Sequence, residues 1–148
     1  MDVPVGFQKT SLKYFREILV ASTDSTFSKK MVISPTDLVS YPVIGLGHHS
    51  KTHEFYSHLL LAYGVEWQPD IDVATADQIL PMIKSGLGIG FLPEFMANHD
   101  LEQGTIVKIK VSNLQLKREI VLLEDKTKIL NAAAKELKKQ IVSNNVQN

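Results

Sequence analysis

The sequence predicts an α/β fold in which a largely parallel sheet is covered by helices, and three observations carry this. Short apolar runs at residues 43–46, 71–74 and 89–92 alternate with segments of helical period, the order that builds parallel sheets with covering helices. These runs are continuously apolar, not alternating, as expected of strands covered on both faces. Residues 75–95 then combine a capped helix, a glycine turn, a buried strand and a proline stop in one unit.

Taken in order, residues 1–7 alternate enough for a short strand and residues 17–21 form another apolar run, with a polar, Lys-bearing turn between them. Residues 22–30 are polar and read as an exposed loop. Ser34-Pro35-Thr36-Asp37 is a helix start, with Ser as cap and Pro at the first helical position, where its missing N–H is not needed. That helix is short and ends near Val39. A strand at residues 43–46 leads through Gly47-His48-His49-Ser50 into a helix over residues 51–63, ended by Gly64, with Phe55, Leu59, Leu60 and Tyr63 on one face.

A strand at residues 71–74 enters the 75–95 unit. Thr75 and Gln78 have the spacing of a capping box, Ile79, Met82 and Ile83 face the core, and Gly86 supplies the left-handed cap. Pro81 falls inside this helix and removes a hydrogen bond near Asp77. Pro93 closes the strand at 89–92 and opens a short helical turn over 93–98. Two further strands follow at 106–111 and 119–123, and the last helix spans 127–142, with Leu130, Ala133, Ala134, Leu137 and Ile141 as its apolar stripe. The tail after Ser143 is expected to be frayed and exposed.

A chain of 148 residues makes about one domain or two small lobes. Its 16 basic and 16 acidic residues cancel, so the overall charge gives no reason to expect a nucleic-acid or anionic-membrane surface. There is no cysteine, which excludes disulfides and thiolate metal sites. No apolar run approaches membrane-spanning length, and the N-terminus lacks a secretory pattern. The expected location is the cytoplasm.

G-L-G-I-G at residues 86–90 resembles a dinucleotide fingerprint, but the order of elements excludes that role. A nucleotide loop needs strand, glycines and then helix, and here the helix comes first. Open α/β sheets bind ligands beyond the carboxyl ends of their strands, which directs attention to Gly47, His48, His49 and Ser50, and to Thr75 and Ala76. Both loops end at a helix N-terminus, where aligned N–H groups favour an anion. Two readings stand for Ser50 and Thr75: capping alone, and capping together with ligand contact.

His48, His49, His53 and His58 cluster in sequence, but a spacing of five turns the last two apart on a helix, and no carboxylate completes a metal-ligand pattern. No metal and no cofactor is expected. His48 and His49 read as hydrogen-bond donors on a cleft wall, and His53 and His58 as mostly solvated. Ser11, Ser34 and Ser50 lack a nucleophile context, and Asp70 and Asp72, flanking a strand start, read as solvated. No catalytic constellation is found.

Three pieces of the chain resemble the effector-binding module of the LysR-type transcriptional regulators. They are P-T-D-L-V-S-Y-P-V-I at residues 35–44, I-K-S-G-L-G-I-G-F-L-P-E at 83–94 and L-E-Q-G-T-I-V at 101–107, in that order and spacing. The resemblance implies a periplasmic-binding-protein-like (type II) fold, mostly parallel sheet with flanking helices. Residues 22–117 would be one lobe. Residues 1–21 would supply a strand of the other lobe and the first crossing segment, and residues 118–148 the second crossing segment and the other lobe's C-terminal helix. It further implies a small, anionic effector in an inter-lobe cleft, a homodimer, no enzymatic activity, and DNA contact only through a winged helix-turn-helix that this sequence does not show. Phe7 and Pro93 join the expected ligand-contacting set on these grounds. The first part of the other lobe is also missing from the pattern, which is expected to leave apolar surface near Val3 and Val5 and on the last helix, favouring self-association. The alternative is a solute-binding lobe of a transport system, disfavoured by the missing signal sequence.

Overall fold

The computed structural model describes residues 3–145. In chain order the regular elements are β1 (Phe7–Ser22), β2 (Val32–Ile33), β3 (Val43–Leu46), α1 (Lys51–Leu61), β4 (Ile71–Val73), α2 (Ile79–Lys84), β5 (Ile89–Pro93), α3 (Glu94–Glu102), β6 (Ile106–Val111), β7 (Lys117–Asp125) and α4 (Ala132–Asn145). The chain forms two compact units, one of them Arg16–Leu116 and the other made from both chain ends.

Within the larger unit the sheet order is β2-β6-β1-β5-β3-β4. β3 runs parallel to β4 and β5, and β2 parallel to β6. β1 lies antiparallel to both β5 and β6, with Leu19 opposite Phe91 on one side and Ile109 on the other. The largely parallel sheet is thus two parallel blocks joined through one antiparallel strand. Residues Ile18, Leu19, Val20 and Ala21 are at most 4 % exposed. Leu19 and Ala21 enter one apolar cluster, which includes Tyr56, Trp67 and Phe91, and Ile18 and Val20 enter the other, with Ile44, Ile79, Ile83 and Leu92.

The 75–95 unit forms as its sequence implies. Leu87 N donates to Met82 O at 3.3 Å and Gly86 N to Ile83 O at 2.9 Å, with Gly86 at φ +76°, the two bonds that terminate a helix in a Schellman motif. Gly88 does something different: a Cβ there would lie 2.3 Å from the Pro42 carbonyl oxygen. Ile89 N donates to that same oxygen at 2.9 Å. Pro81 also finds an explanation. The turn over Ala76–Gln78 is 3-10 and α2 begins only at Ile79, so Pro81 occupies the first α-helical turn, where N–H groups have no intrahelical acceptor.

Several expectations are corrected. The proposed strand over residues 1–7 begins only at Phe7. Met1 and Asp2 lie outside the described residues, and the chain before Phe7 turns, with Gly6 at φ +86° and Phe7 N donating to Pro4 O at 3.1 Å. The polar turn expected before residue 17 is absent, because β1 continues from Phe7 to Ser22 and pairs with β7. Its first half is polar because it is exposed. The buried residues of α1 are His53, Tyr56 and Leu60. Phe55 and Leu59 are half-buried against the same cluster, and Tyr63 lies beyond the helix, its hydroxyl donating to Asn113 O at 2.7 Å. Tyr56 packs into this cluster, and its hydroxyl donates to Glu17, itself 5 % exposed, so the burial leaves the phenol with a partner.

In the smaller unit, α4 starts later than the periodicity suggested. Asp125 Oδ1 accepts from Thr127 N at 3.0 Å and from its hydroxyl at 2.6 Å, and Asn131 Oδ1 accepts from Ala134 N at 2.8 Å. The first arrangement is a turn that competes with helix, the second a cap. No described residue of α4 is buried, and Val5, Ile129 and Leu137 are exposed apolar side chains of this unit.

Two predictions follow from these contacts. Gly88→Ala forces backbone against backbone and should destabilise the fold by about 2–3 kcal/mol. Gly86→Ala meets only open space but keeps a left-handed φ and should cost about 1 kcal/mol. Urea denaturation of the two variants checks the difference, and equal losses would refute it. The second concerns Asp100, whose carboxylate accepts from Lys84 Nζ at 2.5 Å and from the Thr105 hydroxyl at 2.9 Å. Lys84 first and Thr105 second hold its pKa below the ordinary value. A depressed acid contributes stability that is present above its unfolded pKa and lost as pH falls through the folded one. Asp100→Asn should therefore flatten the loss of stability below about pH 4, as read from urea midpoints at successive pH values.

Candidate functional site

Because β4, β3 and β5 are parallel neighbours, with Leu46 opposite Val73 and Ile44 opposite Gly90, their carboxyl ends reach the same edge of the sheet. The loops that follow are built from local hydrogen bonds. After β3, Ser50 N donates to Gly47 O at 3.0 Å, which closes the turn. Ser50 is extended, and its Oγ accepts from His53 N at 3.0 Å, so it caps α1. After β4, Thr75 is extended and Gln78 Oε1 accepts from Ala74 N at 3.0 Å and Thr75 N at 3.2 Å. Gln78 thus commits two backbone donors that the sequence left available for a ligand.

Gly47, His48, His49, Ser50, Thr75, Ala76 and Pro93 all lie at this edge. The loop after β3 lies beside β4: a Cβ on Gly47 would lie 3.9 Å from Asp72 Oδ2. Phe7 belongs to the other unit, at the start of β1, and is 40 % exposed.

The histidines need one correction. His58 is exposed, but His53 is only 7 % exposed. Its Nδ1 lies 3.2 Å from Leu46 O and its Nε2 3.1 Å from His48 Nδ1. The two rings pack at 4.4 Å between centroids. The spacing 53, 56, 60 is the helical i, i+3, i+7 that carried the signal. It was obscured because histidine is polar and Phe55 and Leu59 offered a second apolar stripe. Asp70 is also not merely solvated. Its Oδ2 accepts from Val43 N at 2.8 Å, and its own N donates to Val43 O at 2.8 Å, which pins the start of β4 to β3. Among the described residues there is no group of three or more His, Cys, Asp or Glu arranged to hold a metal.

A family model described as the LysR substrate binding domain matches residues 4–145. The chain belongs to this family. It is 25 % identical over 131 residues to a protein of Thalassiosira pseudonana named "Probable RuBisCO transcriptional regulator", covering 82 % of this chain and 43 % of that one. The chain therefore spans less than half the length of that relative. Among solved structures, the regulatory domain of CcmR from Synechocystis PCC6803, in complex with 2-PG, superposes with a TM-score of 0.82 at 15 % identity, covering 99 % of this chain and 71 % of that one. The effector binding domain of QuiR in complex with shikimate gives 0.79 at 16 % identity, covering 97 % and 67 %. The LysR substrate-binding domain has a periplasmic-binding-protein-like type II fold, to which the mixed sheet and flanking helices of this chain conform. No helix among the described residues is long and apolar enough to cross a membrane.

Ser50→Ala removes the α1 cap and should destabilise this LysR substrate-binding domain by about 1 kcal/mol. Thermal denaturation beside wild type measures it, and no loss would show that Ser50 is not the working cap.

Proposed function

We propose that this chain is a non-enzymatic, small-molecule effector-sensing domain of a LysR-type transcriptional regulator, and that its effector binds at the edge formed by the ends of β3, β4 and β5. The observation that carries this reading is the convergence of two helix starts and the Gly47–Ser50 turn at the carboxyl ends of three parallel strands. Effector contacts are assigned to Gly47, His48, His49, Ser50, Thr75 and Ala76, with Pro93 beside them and Phe7 as a contact from the first strand. The solved relatives named for complexes with shikimate and 2-PG, both anions, support an anionic metabolite, as do the helix N-termini.

In the fuller form of the proposal, the effector occupies an inter-lobe cleft in the whole protein and biases the arrangement of a homodimer. A separate winged helix-turn-helix domain makes the DNA contacts, and the protein acts in the cytoplasm. The balanced charge of the chain supports a division of labour in which this segment does not bind DNA itself. Effector binding acts as a population shift and transmits only as much free energy as it discriminates between the two arrangements.

Thr75→Val, which removes one exposed hydroxyl and keeps the shape, should weaken binding of shikimate or 2-PG about tenfold, roughly the worth of a hydrogen bond to a charged group. Isothermal titration calorimetry gives the affinity, and circular dichroism checks the fold. An unchanged affinity would remove Thr75 from the site.

A further inference from the structure

We propose that the His48–His53 pair couples anion binding at the β3–α1 turn to uptake of one proton, with His53 as the positioning residue that sets the tautomer of His48. This rests on the effector reading above and adds a proton to it. The Leu46 carbonyl oxygen can only accept. It lies 3.2 Å from His53 Nδ1, so His53 carries its hydrogen there and, while neutral, offers Nε2 as an acceptor. His48 Nδ1, 3.1 Å away, is then the donor. With both rings neutral, the hydrogen of His48 is committed inward and its Nε2 carries a lone pair. His48 is exposed, and in this state that nitrogen repels a carboxylate or phosphate oxygen.

One added proton reverses this. Placed on His48 Nε2, it makes an imidazolium that donates to an anion and still donates through Nδ1 to His53. Both inward bonds survive, so protonation needs no rearrangement. A second proton on His53 Nε2 would set two N–H groups head to head at 3.1 Å, so the intact pair takes one. The other charged and titratable groups around it are Asp72 on β4 beside Gly47, His49 in the turn, and Lys51, Glu54 and His58 on α1. Lys51 and Glu54 are paired at 2.6 Å. Glu17, from β1, is engaged by Tyr56 one turn along α1. Asp72, beside Gly47, opposes an anion at this turn, which makes the proton on His48 more necessary to binding.

The sign is definite. The protonated form binds, so affinity is highest below the ionisation of the pair and falls by about tenfold per pH unit above it. The test is imidazole-nitrogen NMR of the protein between about pH 5.5 and 8.5, without ligand and with shikimate, whose carboxylate does not titrate in this range. A parallel series uses 2-PG, and calorimetry in two buffers of different ionisation heat counts the protons. The expected result is His53 protonated at Nδ1 throughout and His48 at Nδ1 alone at high pH. Either ligand should then recruit a proton to His48 Nε2, with about one proton taken up per ligand at pH above the transition. His48→Gln should bind without the uptake of one proton that calorimetry counts in the wild type. His53→Gln should keep binding but broaden His48 into both tautomers, a change that loss of packing alone would not produce. Binding that shifts the amides of Ser50 and Thr75 but leaves His48 Nε2 bare would overturn the coupling and leave the effector reading intact. Absence of binding of both ligands across the range would overturn the effector reading for these anions, and the coupling with it.

Discussion

The structure depends on one strand segment being buried on every side. Residues Ile18–Ala21 hydrogen-bond to β5 on one edge and β6 on the other, and their side chains enter the two apolar clusters in alternation. Such a segment tolerates no unpaired polar group, because desolvation without a partner costs kilocalories. The one charged residue at its margin, Glu17, is accordingly met by the Tyr56 hydroxyl. That bond lies on the buried face of α1, with Tyr56 and Leu60 in the apolar cluster. The Tyr56 ring stacks on Phe91 at 5.0 Å and packs against Trp67 at 5.0 Å, and His53, one turn earlier on the same face, is carried against the end of β3.

The position of the candidate site follows from close backbone packing between β3 and β5. Gly88 allows Pro42 O to approach, and Gly90 sits where a Cβ would be 3.0 Å from Ile44 O and from the side chains of Ile79 and Ile83. Any larger residue would push the strands apart or lift α2 from the sheet. Of the glycines that imitate a nucleotide loop, Gly88 and Gly90 are thus spacing devices and Gly86 ends α2. They act on chemistry only indirectly, by keeping the β3, β4 and β5 ends at one edge.

The sequence was most legible where local signals agreed with tertiary demands. The 75–95 unit, the Ser50 cap and the strand at 43–46 were visible because caps, glycines and apolar runs obey local rules. The family, too, was readable from the order of three loose motifs. What was not visible depended on partners distant in sequence. The first half of β1 looks like a polar turn because its partner, β7, lies about a hundred residues away. The burial of His53 depends on Leu46 O and on the helix face it shares with Tyr56, and Asp70 looks solvated until Val43 is placed beside it. In the late helix, the apolar stripe suggested an early start, but Asp125 captures both donors of Thr127 and holds the chain in a turn.

Of the two readings at the strand ends, capping alone and capping together with ligand contact, the chemistry of a hydroxyl leaves room for the second. A hydroxyl has one hydrogen to donate and two lone pairs. At Ser50 the helix uses a lone pair, through His53 N, so the hydrogen can still be directed to an acceptor at the loop. A cap therefore prepares a serine for anion contact by fixing its oxygen, which lowers the ordering cost of binding. The same backbone bond also places the His53 ring under Leu46 O, and through it orients His48. On the proposed reading, stability and recognition share these atoms in the β3–α1 turn, so a substitution there is expected to change both together, and the two effects separate only when affinity is measured on folded protein as a function of pH.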